Sequence, residues 1–429
     1  MSRLYVQKSP PLSGKIKANT AKNSILPMMA ASLLTDDPVT IEDVPALSDV
    51  FAMCEVISAL GISATYEDRT LHMQCMDLGC DTDHVKIMKK LRASFLISGP
   101  LLTRCGLVCT TSPGGCNIGS RPVDLHLAGF MAMGANIEAQ DGQVKARTDR
   151  LRGADIFLSF PSVGATENLM MAATLAEGTT ILRNAAAEPE VEDLAFLLKK
   201  MGAKIYGAGS SVIRIDGVKR MHGAAHTPIP DRIEAGTLMM AAAATGGNVA
   251  VQNVNPEHLK AVTSALRRMG ANVMEYPRSI RVTADKRLRA ADIKAMPYPG
   301  YPTDMQAQFM ALASTAEGIS RIEETVFDGR FRHVDELLKM GAKISLRGRT
   351  AVVDGVESLT GARVKAPDLR AGAAMVLAGL TAEGTTIIED ADHIDRGYEN
   401  LDGMLASLGA NIEREKIARP AVEAVALAY

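Results

Sequence analysis

Tryptophan is absent from this chain of 429 residues, and aromatic residues make up only 4% of it. So few aromatic rings argue against a stacking platform for bases. Charge of one sign is lacking too. With 47 basic and 49 acidic residues the formal net charge is -2, so no global field draws the chain to nucleic acid. The apolar stretches near Leu238–Ala244 and Ala371–Leu380 fall well short of a membrane span, which excludes membrane insertion by a helix. The first residues, Met1 to Lys8, hold no apolar run after a basic segment, so no signal peptide is expected and the cytoplasm is the expected compartment. Six cysteines all fall within the first 116 residues, but no Cys-x-x-Cys pair occurs. The pattern does not favour zinc, and reduced thiols are the expectation. Neither a Walker A motif nor a Rossmann glycine fingerprint is present.

What is there is a repeat. Leu60-Gly61-Ile62, Met133-Gly134-Ala135, Met201-Gly202-Ala203, Met269-Gly270-Ala271, Met340-Gly341-Ala342 and Leu408-Gly409-Ala410 each close a helix-like stretch. Their glycines are spaced 73, 68, 68, 71 and 68 residues apart, which reads as six copies of one unit. The helix ending at each glycine is amphipathic, as in Glu192–Gly202, and the glycine serves as its left-handed C-cap. An earlier helix in each unit is apolar nearly all round, as in Glu234–Ala244, Asn168–Leu175 and Gly372–Leu380. Such a helix is buried on every side. Helices inside and sheets outside are therefore expected, in an α/β module of about 70 residues. Two prolines in His226-Thr227-Pro228-Ile229-Pro230-Asp231 break helix and strand alike. A domain crossing is expected there, with three units to each side. The tail from Glu413 to Tyr429 is expected to lie beyond the last unit.

Chemistry shows where the copies differ. At the mouths of the buried helices stand Lys22-Asn23, Arg92, Ser162-Val163-Gly164, Arg232, Asp304 and Arg370. A cation at a helix N-terminus opposes the dipole and is unfavourable unless an anion arrives. Capping and pairing with neighbours is the alternative reading. The junction before the amphipathic helix carries Pro113-Gly114-Gly115-Cys116 running to Arg121-Pro122-Val123-Asp124-Leu125-His126 in unit two. Units five and six carry Val326-Phe327-Asp328-Gly329-Arg330 and His393-Ile394-Asp395-Arg396 there. Arg121 and Arg396 each precede their unit's glycine by 13 residues, so they occupy equivalent positions and suit bidentate capture of a phosphate or carboxylate. Cys116, among glycines with an arginine five residues on, is either a candidate acid or nucleophile or an exposed inert thiol. Asp304 is either a helix N-cap or a catalytic carboxylate, and both roles are compatible.

These motifs resemble those of the enolpyruvyl transferases over essentially residues 1 to 415. The matching segments are Ala21-Lys22-Asn23, Leu91-Arg92-Ala93-Ser94, the Cys116 loop through His126, Ser162 to Thr166, Pro230 to Glu234, Pro302 to Gln308, Asp368-Leu369-Arg370 and His393 to Tyr398. The cysteine loop favours the branch that acts on a nucleotide sugar over the shikimate branch. The resemblance implies a two-domain inside-out α/β barrel of six units, with one domain at 21–229 and the other at 1–20 plus 230–429. It implies phosphoenolpyruvate held by Lys22, Arg121 and Arg396, with Arg370 on its carboxylate side. UDP-N-acetylglucosamine is expected to meet Arg121, Pro122, Val123, Asp124 and Leu125, then Ser162, Val163, Gly164 and Val326. Asn23 and Asp304 face its amino sugar, and Arg92, Arg232 and Arg330 complete the ligand side. Cys116 and Asp304 are the implied acid and base, aided by Lys22. No metal or organic cofactor is implied, and the inhibitor fosfomycin is expected at Cys116. Phe160-Pro161 before Ser162 departs from the more polar, lysine-bearing segment expected there. The implied reaction is the first committed step toward peptidoglycan. The alternative outside catalysis is a regulatory copy that binds the sugar nucleotide without turnover.

Overall fold

The repeated glycines end their helices as C-caps. In a computed structural model of the chain, Gly61, Gly134, Gly202, Gly270, Gly341 and Gly409 all adopt φ between +84° and +101°, where a side chain is strained. The structure describes residues 2–79, 92–111, 123–140 and 143–416.

Units three and five show the module in full. Asp155–Phe157 leads to the buried helix Val163–Ala173 and returns as Thr179–Arg183, parallel to the first strand. The amphipathic helix Pro189–Lys200 follows, then the antiparallel pair Lys204–Tyr206 and Val212–Asp216. Every apolar residue of Leu169–Ala173 is buried, as expected for a helix without a polar face. Unit five repeats the same strand order with Ile293–Ala295, Ile319–Glu324, Thr350–Asp354 and Lys343–Arg347.

Three sheets borrow a strand from far along the chain. Ser13–Lys17 runs parallel to Asn248–Gln252, and Ala225–His226 runs parallel to Val39–Ile41. The two connections cross side by side, where Thr20 bridges Pro230. Ser2–Gln7 lies between Thr385–Glu389 and Ile412–Lys416, antiparallel to both. The tail therefore begins later than expected: residues 413–416 are ladder residues of the last sheet, and 417–429 lie outside the described residues.

Among the described residues, six sheets surround the buried helices. In one half Lys22–Ala31, Ser98–Cys105 and Val163–Ala173 pack together; in the other Arg232–Ala244, Gln306–Ala313 and Leu369–Gly379 do so. Small residues permit that closeness. A Cβ on Gly99 would come within 2.3 Å of the Asn168 carbonyl oxygen of the neighbouring helix. The buried apolar side chains form two clusters, one drawn from residues 25–221 and one from 4–18 and 233–412. This is a two-domain α/β fold with its helices inside. Among the described residues no helix is long and apolar enough to cross a membrane. Cys54, Cys75 and Cys109 are free thiols.

Candidate active site

Among the described residues, three buried helices that open on a cation meet an internal carboxylate. Lys22, at the start of Lys22–Ala31, donates through Nζ to Asp49 Oδ2 at 2.8 Å. Arg232, at the start of Arg232–Ala244, makes a bidentate pair with Glu190 at 2.9 and 3.1 Å. Arg370, in the first turn of Leu369–Gly379, donates to Asp304 Oδ2 through Nη2 at 3.0 Å and Nε at 3.3 Å. All three cations are buried. The helix dipole alone would repel them, and the carboxylates supply the compensation that burial requires.

Asp49 is the centre of one cluster. Its second oxygen accepts from Arg396 Nε at 2.8 Å, so one carboxylate joins a helix mouth of unit one to a junction of unit six. Burial pushes the Asp49 carboxyl up, but Lys22 and Arg396 together outweigh it and hold the group below its ordinary range. Asp304 is the centre of the other. Arg330 Nη2 donates to its Oδ1 at 2.7 Å, opposite Arg370. Arg370 in turn lies over the Tyr398 ring, 5.3 Å from its centroid, and the Tyr398 hydroxyl meets Thr237 Oγ1 at 3.0 Å and Gln308 Nε2 at 3.2 Å. Gln308 also donates to the Asp304 carbonyl at 2.9 Å.

Asp304 is not the N-cap. It lies inside a short turn, Thr303–Met305, whose cap position is Pro302, and the helix Gln306–Ala313 follows with no side-chain cap. Capping falls to other aspartates. Asp368 accepts from the amides of Arg370 and Ala371, and Asp231 Oδ1 accepts from Ile233 and Glu234. Asp231 Oδ2 also accepts from the Lys22 amide at 3.4 Å, tying the two crossing helices at their N-termini.

The remaining predicted residues stand at these and other helix mouths and junctions. Asn23 is half-buried beside Lys22. Ser162 caps Val163–Ala173 by accepting from the Ala165 amide at 3.3 Å, with Val163 and Gly164 half-buried. A Cβ on Gly164 would lie 3.5 Å from the His126 ring, and His126 Nδ1 meets Asn168 Nδ2 at 3.0 Å, which joins units two and three at this mouth. Val123 and Leu125 are half-buried and Asp124 is exposed in the first turn of Asp124–Ala132. The Val326 amide donates to Glu324 Oε1 at 2.8 Å. Arg92 opens the turn Arg92–Ile97, and its side chain lies outside the described residues, as do Cys116, Arg121 and Pro122.

Asp49 and Glu190 escaped the sequence reading. Each precedes its unit's glycine by 12 residues, so alignment of the units on that glycine sets them at the same junction as Arg121 and Arg396. Glu190 lies in a dense acidic pocket. Burial first, then Glu190 and Glu188, push Glu167 well above the carboxylate range. A cavity of about 590 Å³ lined by Arg268, Asp292, Lys294, Tyr301, Arg321 and Glu323 contains none of the predicted site residues.

Comparison with known proteins agrees with this architecture. The family model described as EPSP synthase (3-phosphoshikimate 1-carboxyvinyltransferase) matches residues 6–405. A UDP-N-acetylglucosamine 1-carboxyvinyltransferase 1 of Caldanaerobacter subterraneus subsp. tengcongensis is 52% identical over 414 residues, covering 96% of this chain and 100% of that one. A UDP-N-acetylglucosamine 1-carboxyvinyltransferase of Finegoldia magna is 52% identical over 421 residues, 97% of this chain and 100% of its own length. Among solved structures, the enolpyruvyl transferase NikO from Streptomyces tendae superposes with a TM-score of 0.85 at 25% identity, covering 96% of this chain and 98% of that one. The EPSP synthase of Acinetobacter baumannii shares the fold, with a TM-score of 0.75 at 18% identity and coverage of 97% and 100%. With a matching family model along nearly its whole length and relatives at half identity, the chain belongs to the EPSP synthase family of enolpyruvyl transferases.

Proposed function

We propose that this chain transfers the enolpyruvyl group of phosphoenolpyruvate to the 3-hydroxyl of UDP-N-acetylglucosamine, releasing inorganic phosphate, as the first committed step of peptidoglycan synthesis. Half identity to full-length relatives named for that transfer supports the acceptor. The observation that carries the site is the pair of cations on Asp49. Lys22 and Arg396 converge there from units one and six, and two cations already gathered on a carboxylate are arranged for a phosphate or carboxylate of the substrate. We read the chain as two domains, 21–229 and 1–20 plus 230–429, on the strength of its two buried clusters.

In this reading the acceptor oxygen adds to C2 of phosphoenolpyruvate and its proton passes to Asp304. The C3 methylene takes a proton, for which Cys116 is the acid. The tetrahedral adduct then returns a C3 proton to the Cys116 thiolate, the C2–O bond to phosphate breaks with its electron pair leaving on phosphate, and the C2–C3 double bond re-forms. Lys22, Arg121 and Arg396 offset the charge of the departing phosphate, with Arg370 on the carboxylate side. An aspartate between two guanidinium groups is anionic and accepts a proton as one of those pairs gives way, so closure on the sugar nucleotide is the step that releases it. Asn23, Val123 to Leu125, Ser162 to Gly164 and Val326 line the nucleotide sugar, and fosfomycin takes Cys116.

Phosphate release with each acceptor tests the proposal. Turnover with UDP-N-acetylglucosamine and none with shikimate 3-phosphate is expected, and the reverse would sink it. Intact mass after incubation with fosfomycin should show a single adduct that Cys116→Ala abolishes. Unchanged turnover in that variant would refute the acid role.

A further inference from the structure

Glu324 ends the strand Ile319–Glu324 with its side chain fully buried. None of the ion pairs among the described residues involves it. Three neutral donors supply its contacts instead. Oε1 accepts from the amides of Val326 at 2.8 Å and Phe327 at 3.1 Å, and Oε2 accepts from the Thr303 hydroxyl at 2.8 Å. A buried carboxylate without a counter-ion is costly, and three hydrogen bonds to it are what make the position tolerable.

The two ends of this clip are the two sides of the Asp304 contact. Thr303 immediately precedes Asp304 in the same short turn. Phe327 lies under Arg330, whose guanidinium carbon is 5.6 Å from the ring centroid, and Arg330 pairs with Asp304 at 2.7 Å. A carboxylate that fixes Thr303 with one oxygen and the Val326–Phe327 backbone with the other therefore determines the separation of Asp304 and Arg330. From this geometry we infer that Glu324 is a positioning residue for the transfer, holding Asp304 in register with Arg330 and with the loop that carries Val326. The inference rests on the reading of Asp304 as the base. Both Glu324 oxygens act as acceptors only; glutamine can keep its oxygen on the two amides and turn its amino group to the Thr303 hydroxyl, which can accept, whereas methionine keeps the length and offers neither link.

Steady-state kinetics on Glu324→Met, Thr303→Val, Thr303→Ser and Asp304→Asn test it. A base displaced by a fraction of an ångström loses about 10- to 100-fold in kcat. Glu324→Met and Thr303→Val should each show that loss with KM for the nucleotide sugar little changed. The acid limb of the kcat profile should move to higher pH, because a carboxylate drawn away from Arg330 binds its proton more tightly. Thr303→Ser, which keeps the hydroxyl, should restore both. A merely structural role would lower the unfolding temperature and leave the acid limb of the folded enzyme in place. Parent kcat and an unmoved limb in Thr303→Val would overturn the inference, even if Glu324→Met fails to fold. Full turnover in Asp304→Asn would instead remove the base reading, and the inference with it.

Discussion

Asp49 and Arg396 stand 347 positions apart in the chain and 2.8 Å apart in space, Oδ1 to Nε. The same carboxylate holds Lys22, so the two cations assigned to substrate are already neutralised in part by the protein. An internal carboxylate thus occupies the place in the charge balance that an incoming anion must share or take. Its side chain is 6% exposed and that of Lys22 10%, against 21% for Arg396.

Asp49→Asn should therefore destabilise the unliganded protein by roughly 3 kcal/mol, the lower end for breaking a buried pair because Arg396 is partly exposed. Inorganic phosphate should recover more stability in this variant than in the parent, since it meets cations that have lost their partner. Thermal unfolding with and without phosphate measures this. The pH sign follows from the lowered carboxyl: the contribution of Asp49 is complete above the ordinary carboxylate range and is lost as pH falls through its lower folded value.

Glu234 behaves in the opposite sense. Burial, reinforced by Asp231 and opposed by the Asn19 hydrogen bonds, pushes it up from 4.5 to about 7. A raised acid favours the folded state while protonated. That stability is full below pH 4.5 and is lost as pH rises through about 7. Glu234→Gln keeps an acceptor for Asn19, whose amide is 2.8 Å from Oε1, without the charge. At pH 8 the variant should be more stable than the parent by about 3 kcal/mol. Denaturant unfolding at pH 5 and 8 gives the difference, and a gain equal at both would refute the assignment.

Gly270 isolates the cost of the repeat itself. Its φ is +96°, and a Cβ built there meets nothing within 4 Å. Gly270→Ala should cost about 1–2 kcal/mol from backbone strain alone. Phosphate release at a permissive temperature should be unaltered. A larger loss of stability would mean that the cap does more than turn the chain.

The buried helices were legible because Met239-Met240-Ala241-Ala242-Ala243 has no polar face, and all five residues are buried. Legibility stopped at Asp304. A carboxylate near a helix start reads from sequence as a cap, a catalytic group or both, and only the approach of Arg330 and Arg370, 26 and 66 positions away, turns its oxygens to arginine. Glu324 was invisible for the same reason, since its donors Thr303 and Val326 share no sequence period.

By itself the sequence determined the unit, because helix periodicity, glycine caps and apolar helices are local properties written into each stretch of about 70 residues. Tertiary structure alone decided which carboxylate answers each cation. Asp49 with Arg396, Glu190 with Arg232 and Asp304 with Arg370 are pairs set by how units pack, and charge pairing across tens or hundreds of residues has no period to betray it.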